Sequence, residues 1–227
     1  MTEQELKESI TYEDEDLIVL HKRPGTAVQT KQTGKQDLVS LLKNYRAEKG
    51  ETPYIAPINR LDQPVEGLVL FAKNEKAASN LSAQLTRGEI GKWYLAIVMD
   101  QNLPQEGHLR DFIKKDAGTN LSKIVPEGTK DAKEALLDFR KLKVDGDQAL
   151  VEIHLLTGRH HQIRAQMAFH GWPLLGDRKY GAVRGQNEPS MPALCAYRLS
   201  FRHPVTGEKQ TFEVSPEDKV FSVCISD

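Results

Sequence analysis

The stretch Ile58-Asn59-Arg60-Leu61-Asp62-Gln63-Pro64-Val65-Glu66-Gly67-Leu68-Val69-Leu70-Phe71-Ala72-Lys73 decides how this chain is read. Leu68 to Ala72 are continuously apolar and lie between a glycine and a lysine, the pattern of a strand buried on both faces. The reading predicts a strand over Gly67 to Lys73. It places Asp62 in a short loop held against the core, two residues from Arg60. A carboxylate positioned in this way is equipment for nucleophilic attack or for proton abstraction at a sugar carbon. On residues 60 to 62 alone, a surface salt bridge at a strand entrance is the preferred account.

Outward from this stretch the same patterns recur. Asp14 to His21, Tyr54 to Asn59 and Lys92 to Met99 read as strands. Gln36 to Lys49 reads as an amphipathic helix stopped by Gly50. Asn74 is the expected N-cap of a helix that places Ala77, Leu81 and Leu85 on one face. Residues 101 to 130 are polar and are expected to hold short strands and loops. Lys133 to Val144 and Gln148 to Leu156 read as strands joined by a tight turn at Asp145-Gly146. His160 to His170 reads as a helix with Gly171 at its C′ position. Ala193 to Phe201 and Gln210 to Val214 form a last hairpin around Thr206-Gly207. Strands dominate, so the predicted class is α+β with a mixed, largely antiparallel sheet flanked by helices.

With 227 residues, 39% hydrophobic and 28% charged, the chain has the composition of an ordinary globular domain. It is read as one domain over residues 1–227. No run approaches the ~18 apolar residues of a membrane span, and the acidic N-terminus lacks the features of a signal peptide. Cys195 and Cys224 are expected to be reduced thiols of a cytoplasmic protein. The net charge of −1 argues against a generic nucleic-acid binder, but its distribution does not. Residues 1–19 carry −6 and residues 211–227 carry −3, whereas residues 20–150 and 151–210 each carry +4. Five of the seven histidines also fall in 151–210. A basic face for phosphates follows, with solvated surface charge the plainer account of most single lysines.

Arg60-Leu61-Asp62 followed by Gly67-Leu68-Val69-Leu70-Phe71-Ala72-Lys73 closely resembles the active-site motif of the RluA family of RNA pseudouridine synthases. Further stretches follow in that family's order. Residues 12–25, ending Leu20-His21-Lys22-Arg23-Pro24-Gly25, resemble its opening strand and Lys-Pro-x-Gly loop. Lys92-Trp93-Tyr94-Leu95-Ala96 resembles its Lys-x-Tyr-x-Ala strand. Gly158-Arg159-His160-His161-Gln162-Ile163-Arg164 and Gly176-Asp177-Arg178-Lys179-Tyr180-Gly181 resemble its helix start and a later loop. His203 to Glu208 fits its closing hairpin. The resemblance spans about Thr11 to Phe221.

This resemblance implies a pseudouridine synthase fold with a central catalytic cleft and no cofactor. It implies isomerisation of specific uridines in a stem-loop of tRNA or rRNA, by a monomer lacking the small N-terminal RNA-binding module of many relatives. Asp62 becomes the nucleophilic carboxylate and Tyr94 the ring that stacks on the flipped uracil. Arg164 becomes the ion-pair partner that orients Asp62. Arg60, Lys73, Lys92, Arg159, His161, Arg178 and Lys179 become RNA contacts, and Leu61 and Ile163 the apolar lining around the base. Trp93 alternates with Tyr94, so only one of the two can line the cleft.

The chain departs from the family at several points. Asn59 stands in place of a histidine, Val65-Glu66 in place of Thr-Ser, and Gln166 and Cys195 in place of two further histidines. A sugar hydrolase would need a second carboxylate, for which Glu66 is the candidate, but a surface glutamate is the expectation there. His154, His160, His161 and His170 lack metal-ligand spacing, so no metal site is expected. The competing assignment is a catalytically idle RNA-binding or ribosome-assembly factor with the same fold. A retained carboxylate facing an anionic ligand argues against it.

Overall fold

The computed structural model describes residues 2–32, 34–100, 102–116, 118–181, 189 and 191–221; Cys224 lies outside these. The chain divides into two compact units, residues 1–91 with 196–215 and residues 92–195 with 216–227.

In the first unit, helix α1 (Glu3–Ser9) precedes strand β1 (Ile10–Glu13), and a tight turn leads into β2 (Leu17–Lys22). Asp14 makes that turn by accepting hydrogen bonds from the amides of Asp16 and Leu17. Helix α2 (Leu38–Glu48) is capped by Asp37, and Gly50 follows it with φ +74°. The strand expected over Tyr54 to Asn59 contracts to β3 (Ala56–Pro57). Strand β4 (Glu66–Ala72) has every residue buried, as its apolar sequence requires of a strand paired on both sides. Helix α3 (Glu75–Thr86) starts where Asn74 Oδ1 accepts from the Ala77 amide at 2.8 Å.

In this unit β1 pairs with β2, β2 with β4 and β3 with β4, all antiparallel. β4 is bordered on its other side by β10 (Leu194–Arg202), which pairs antiparallel with β11 (Lys209–Glu213). One face of β2 and β4 packs on α3 through Leu17, Val19, Leu68, Leu70, Ala77 and Leu81, closed by Leu199 and Phe201.

In the second unit, β5 (Gly91–Met99), β6 (Glu106–Asp116), β7 (Leu121–Val125), β8 (Lys133–Asp145) and β9 (Gln148–Leu155) form an antiparallel order β5-β9-β8-β6-β7. The 11-residue β6 is longer than the short strands expected there. Its surface charges obscured the alternating burial of Leu109 and Ile113. Helix α4 (Gln162–Phe169) lays Ala165 against Ile113 and Ala135, and Gly171 ends it with φ +90°. Cys195 is fully buried. No helix among the described residues is long and apolar enough to cross a membrane.

Gly67 has φ +128°, and a Cβ there would run into the backbone of Ala196 on β10. Strain and close approach therefore coincide at the residue that leads from the Asp62 loop into the buried strand. Gly67→Ala is expected to lower stability by about 3 kcal/mol, read as a fall in the urea midpoint at unchanged m.

Candidate active site

The loop bearing Asp62 has almost no secondary structure of its own, and side chains hold it. Asn59 acts as a peptide unit. Its Nδ2 donates to the Leu68 carbonyl at 3.1 Å, and its Oδ1 accepts from the Leu70 amide at 2.8 Å. Lys22, wholly buried, donates from Nζ to the carbonyls of Arg23 (3.0 Å), Thr26 (2.8 Å) and Gln63 (2.9 Å). Gly25 and Gln63 are cross-bonded, amide to carbonyl and side-chain amide to carbonyl, both at 2.8 Å. Asp62 itself closes a turn, its carbonyl accepting from the Val65 amide at 3.0 Å. The side chain of Asp62 is half-buried, Leu61 is buried, and Arg60 is exposed. Burial pushes the Lys22 ammonium down to about 8, against the opposing pull of Asp62 and Glu66.

Glu66 is a correction to the expected surface glutamate. It is buried, with Oε1 at 2.9 Å from His21 Nε2. Position 66 opens the fully buried β4, which leaves its carboxylate no route to solvent.

In the second unit, Lys92, Tyr94 and Ala96 share the buried face of β5. Trp93 lies on the other face, stacked on His154 with centroids 4.7 Å apart, as the alternation predicts. Arg164, on α4, is buried and gripped by Asp177. Nε donates to Oδ2 at 2.7 Å and Nη2 donates to Oδ1 at 2.8 Å, the two-point geometry available to a guanidinium. Its Cζ lies 5.2 Å from the Tyr180 ring centroid. The Tyr180 hydroxyl accepts from the Ser122 amide and sits 2.8 Å from His161 Nδ1. At the start of α4, Gln162 Oε1 accepts from the Arg159 amide and the Thr157 hydroxyl, while Nε2 donates to the Leu136 carbonyl. Ile163 is buried beside Arg164 in the chain.

Two expected RNA contacts are corrected. Lys73 is buried, its ammonium bonded to Glu13 Oε1 at 2.8 Å and to the Asp14 carbonyl at 2.6 Å. His161 is buried at the helix start with φ +53°, its ring against Tyr180 and stacked on His160. Both side chains are taken up by the scaffold. Arg178 and Lys179 are exposed, Arg159 is half-buried, and Lys92 is buried. The sequence reading left Lys22, Gln162 and Asp177 without roles. A lysine closing the apolar run Leu17 to Leu20 was the available signal for the first.

The histidines considered for metal are dispersed: His160 on Ser122, His170 on Asp111, His154 on Trp93. Asp14, Asp16 and His203 bring ligand atoms within 4.8 Å. Asp14 spends both oxygens on the Asp16 and Leu17 amides, Tyr12 and His203, so that cluster serves the β1–β2 turn.

The RNA pseudouridylate synthase family model matches residues 16–169, which includes Asp62, Tyr94 and Arg164. The chain belongs to the RNA pseudouridylate synthase family. It is 36% identical over 92% of its length to the RNA pseudouridine synthase YlyB of Bacillus subtilis (strain 168), covering 69% of that protein. It is 32% identical over 96% of its length to ribosomal large subunit pseudouridine synthase D of Vibrio cholerae, covering 70% of it. A solved structure, human RNA pseudouridylate synthase domain containing 4, superposes with TM-score 0.80 at 21% identity, covering 98% of this chain and 94% of that one. The fold class is thereby that of pseudouridine synthases, and the chain is an isomerase acting on RNA.

Within this synthase, Lys22 and Asp177 are the buried groups on which the two loops of interest rest. Asp177→Asn removes the charge opposite Arg164 and one of its two acceptor oxygens. Stability is expected to fall by about 3 kcal/mol, measured as a loss in thermal and urea unfolding. Lys22 carries a pH signature. Its folded value near 8 lies below the ordinary 10.5, so between those values the unfolded chain binds more protons than the folded one. Wild type should therefore gain on Lys22→Met as pH rises through that window, by up to roughly 3 kcal/mol, and the difference should be flat below it. Urea unfolding at stepped pH measures this directly.

Proposed function

We propose that this synthase isomerises uridines in a stem-loop of tRNA or rRNA, with Asp62 as the carboxylate that acts at the ribose. The observation that carries the assignment is the construction around Asp62. A fully buried lysine and a peptide-like asparagine hold a half-buried carboxylate in a loop that belongs to no helix or strand. Such preorganisation is expected of a reacting group and has no use in a surface salt bridge.

The reaction breaks the bond from ribose C1′ to N1, turns the base, and joins C1′ to C5; the C5 proton leaves to the solvent and N1, no longer bonded to the sugar, takes up a proton in its place. Product and substrate are isomers, and no redox change occurs. The target base must first leave its stack, which costs a few kcal/mol and least in a loop. Tyr94, buried on β5, is the proposed stacking partner, and Leu61 and Ile163 the apolar lining. Arg164 is the proposed partner of Asp62, its guanidinium plane already fixed by Asp177. Arg60, Arg178 and Lys179 are exposed cations for the phosphate backbone, where contacts position rather than specify. The Vibrio cholerae relative is named for the ribosomal large subunit, which favours an rRNA hairpin among the two RNA classes.

Asp62→Asn should abolish pseudouridine formation, by at least ~1000-fold, while RNA binding and unfolding stay near wild type. Tritium release from RNA labelled at uracil C5, with binding followed in parallel, tests this. Activity within about tenfold of wild type would remove Asp62 from the chemistry.

A further inference from the structure

Lys92 is the one buried lysine of the active-site motifs whose charge the fold leaves uncompensated. Only 8% of it is exposed, yet its ammonium makes no hydrogen bond or ion pair among the described residues. The charged group that acts on it is a second cation, Arg159. Burial foremost, and then Arg159, push the Lys92 ammonium below its ordinary range. Arg159 is half-buried, with Nε donating to the Glu134 carbonyl at 2.8 Å, and no carboxylate pairs with it among the described residues. His154 is held down by burial and, in part, by the same lysine. The contrast with Lys22 and Lys73 is direct, since three carbonyls receive the first and Glu13 with a carbonyl the second.

A buried ammonium with a second cation acting on it and no hydrogen bond or counter-ion among the described residues costs stability in the free protein. Gly158 lies against the Lys92 ammonium. A Cβ built on exposed Gly158 would stand 3.6 Å from Lys92 Nζ and meet nothing else within 4 Å. The φ of Gly158 is one that any residue adopts, so the backbone does not demand glycine there. Its missing side chain leaves access to the ammonium beneath it.

We propose that Lys92 and Arg159 form a two-cation seat for one phosphodiester group of the substrate RNA, reached over Gly158. The seat rests on the assignment of this chain to RNA. A phosphodiester carries one full charge on two free oxygens, one for the compact ammonium and one for the planar guanidinium. Lys92 shares the buried face of β5 with Tyr94, two residues on. A phosphate held there therefore fixes the backbone of a nucleotide close in sequence to the one whose base stacks on Tyr94.

The test uses the whole chain and a single-stranded oligouridylate as probe. Lys92→Met keeps the length of the stem and removes the charge. Affinity at low salt should fall about tenfold, and the slope of log affinity against log salt should become shallower by about 0.7. The melting temperature should hold or rise, because a buried uncompensated charge has gone. Arg159→Gln should shift the slope in the same direction. An unchanged slope and affinity overturn the seat, as does a lowered melting temperature with RNA affinity intact, which marks a structural lysine. Should Lys92→Met not fold, lysine side-chain NMR on the wild type decides. Oligouridylate should move the Lys92 titration upward, and no movement overturns the seat. Inorganic phosphate alone should produce little of that shift; full saturation by it would make this a free-phosphate site instead. Tritium release on the same preparations separates the two assignments. Isomerisation with an unchanged slope fails the seat alone, whereas a Lys92-dependent slope without isomerisation fails the catalytic assignment alone.

Discussion

The buried ammonium of Lys22 constrains the first unit. Lys22 ends a strand in which Leu17 to Leu20 are wholly buried, and it cannot reach water. It stays in the interior because three carbonyls converge on it, from Arg23, Thr26 and Gln63. Arg23 belongs to the Lys-Arg-Pro-Gly turn, Thr26 directly follows it, and Gln63 lies in the loop just after Asp62. Bringing them to one point sets where both loops lie. Desolvation opposes the arrangement, and the nearby carboxylates of Asp62 and Glu66 offset part of it. The placement of Asp62 is thus tied to the solvation of a lysine rather than to a regular element.

The second unit uses the same tactic with different groups. Helix α4 begins without the usual capping hydroxyl or carboxylate, on a histidine in the left-handed region. Gln162, the first helical residue, takes up the amide of Arg159 and reaches back to the Leu136 carbonyl. Asp177 and Tyr180 then fix Arg164 from two directions, an ion pair at its edge and a ring near its face. Side-chain hydrogen bonds from one segment thereby orient the functional group of another.

Most strands and helices were legible because their burial follows local periodicity. β4, β8, β9 and the closing hairpin came out within about two residues of their observed ends, and α3 starts at the cap expected for it. The misses have physical causes. Charged residues on the outward positions of β6 hid an 11-residue strand, and Pro57 with the Asn59 turn cut β3 short. The motif residues Asp62, Tyr94 and Arg164 were readable as types and positions. Whether a given lysine serves the ligand or the scaffold was not. Lys73 and Lys92 look alike in sequence, yet Glu13, sixty residues from Lys73, occupies one and nothing described occupies the other. That difference is made by long-range pairing, which composition does not record.

Asn59 stands where the family commonly carries histidine, and it gives β4 two extra rungs from one side chain. An amide presents a donor and an acceptor side by side at all ordinary pH. An imidazole offers an acceptor only while it remains unprotonated. Mild acid would strip one rung from a histidine at this position and leave both rungs of the asparagine in place. In this chain the Asp62 loop is fastened by a tie that acid does not loosen, so the acid tolerance of its shape is separated from the titration of the carboxylate it carries.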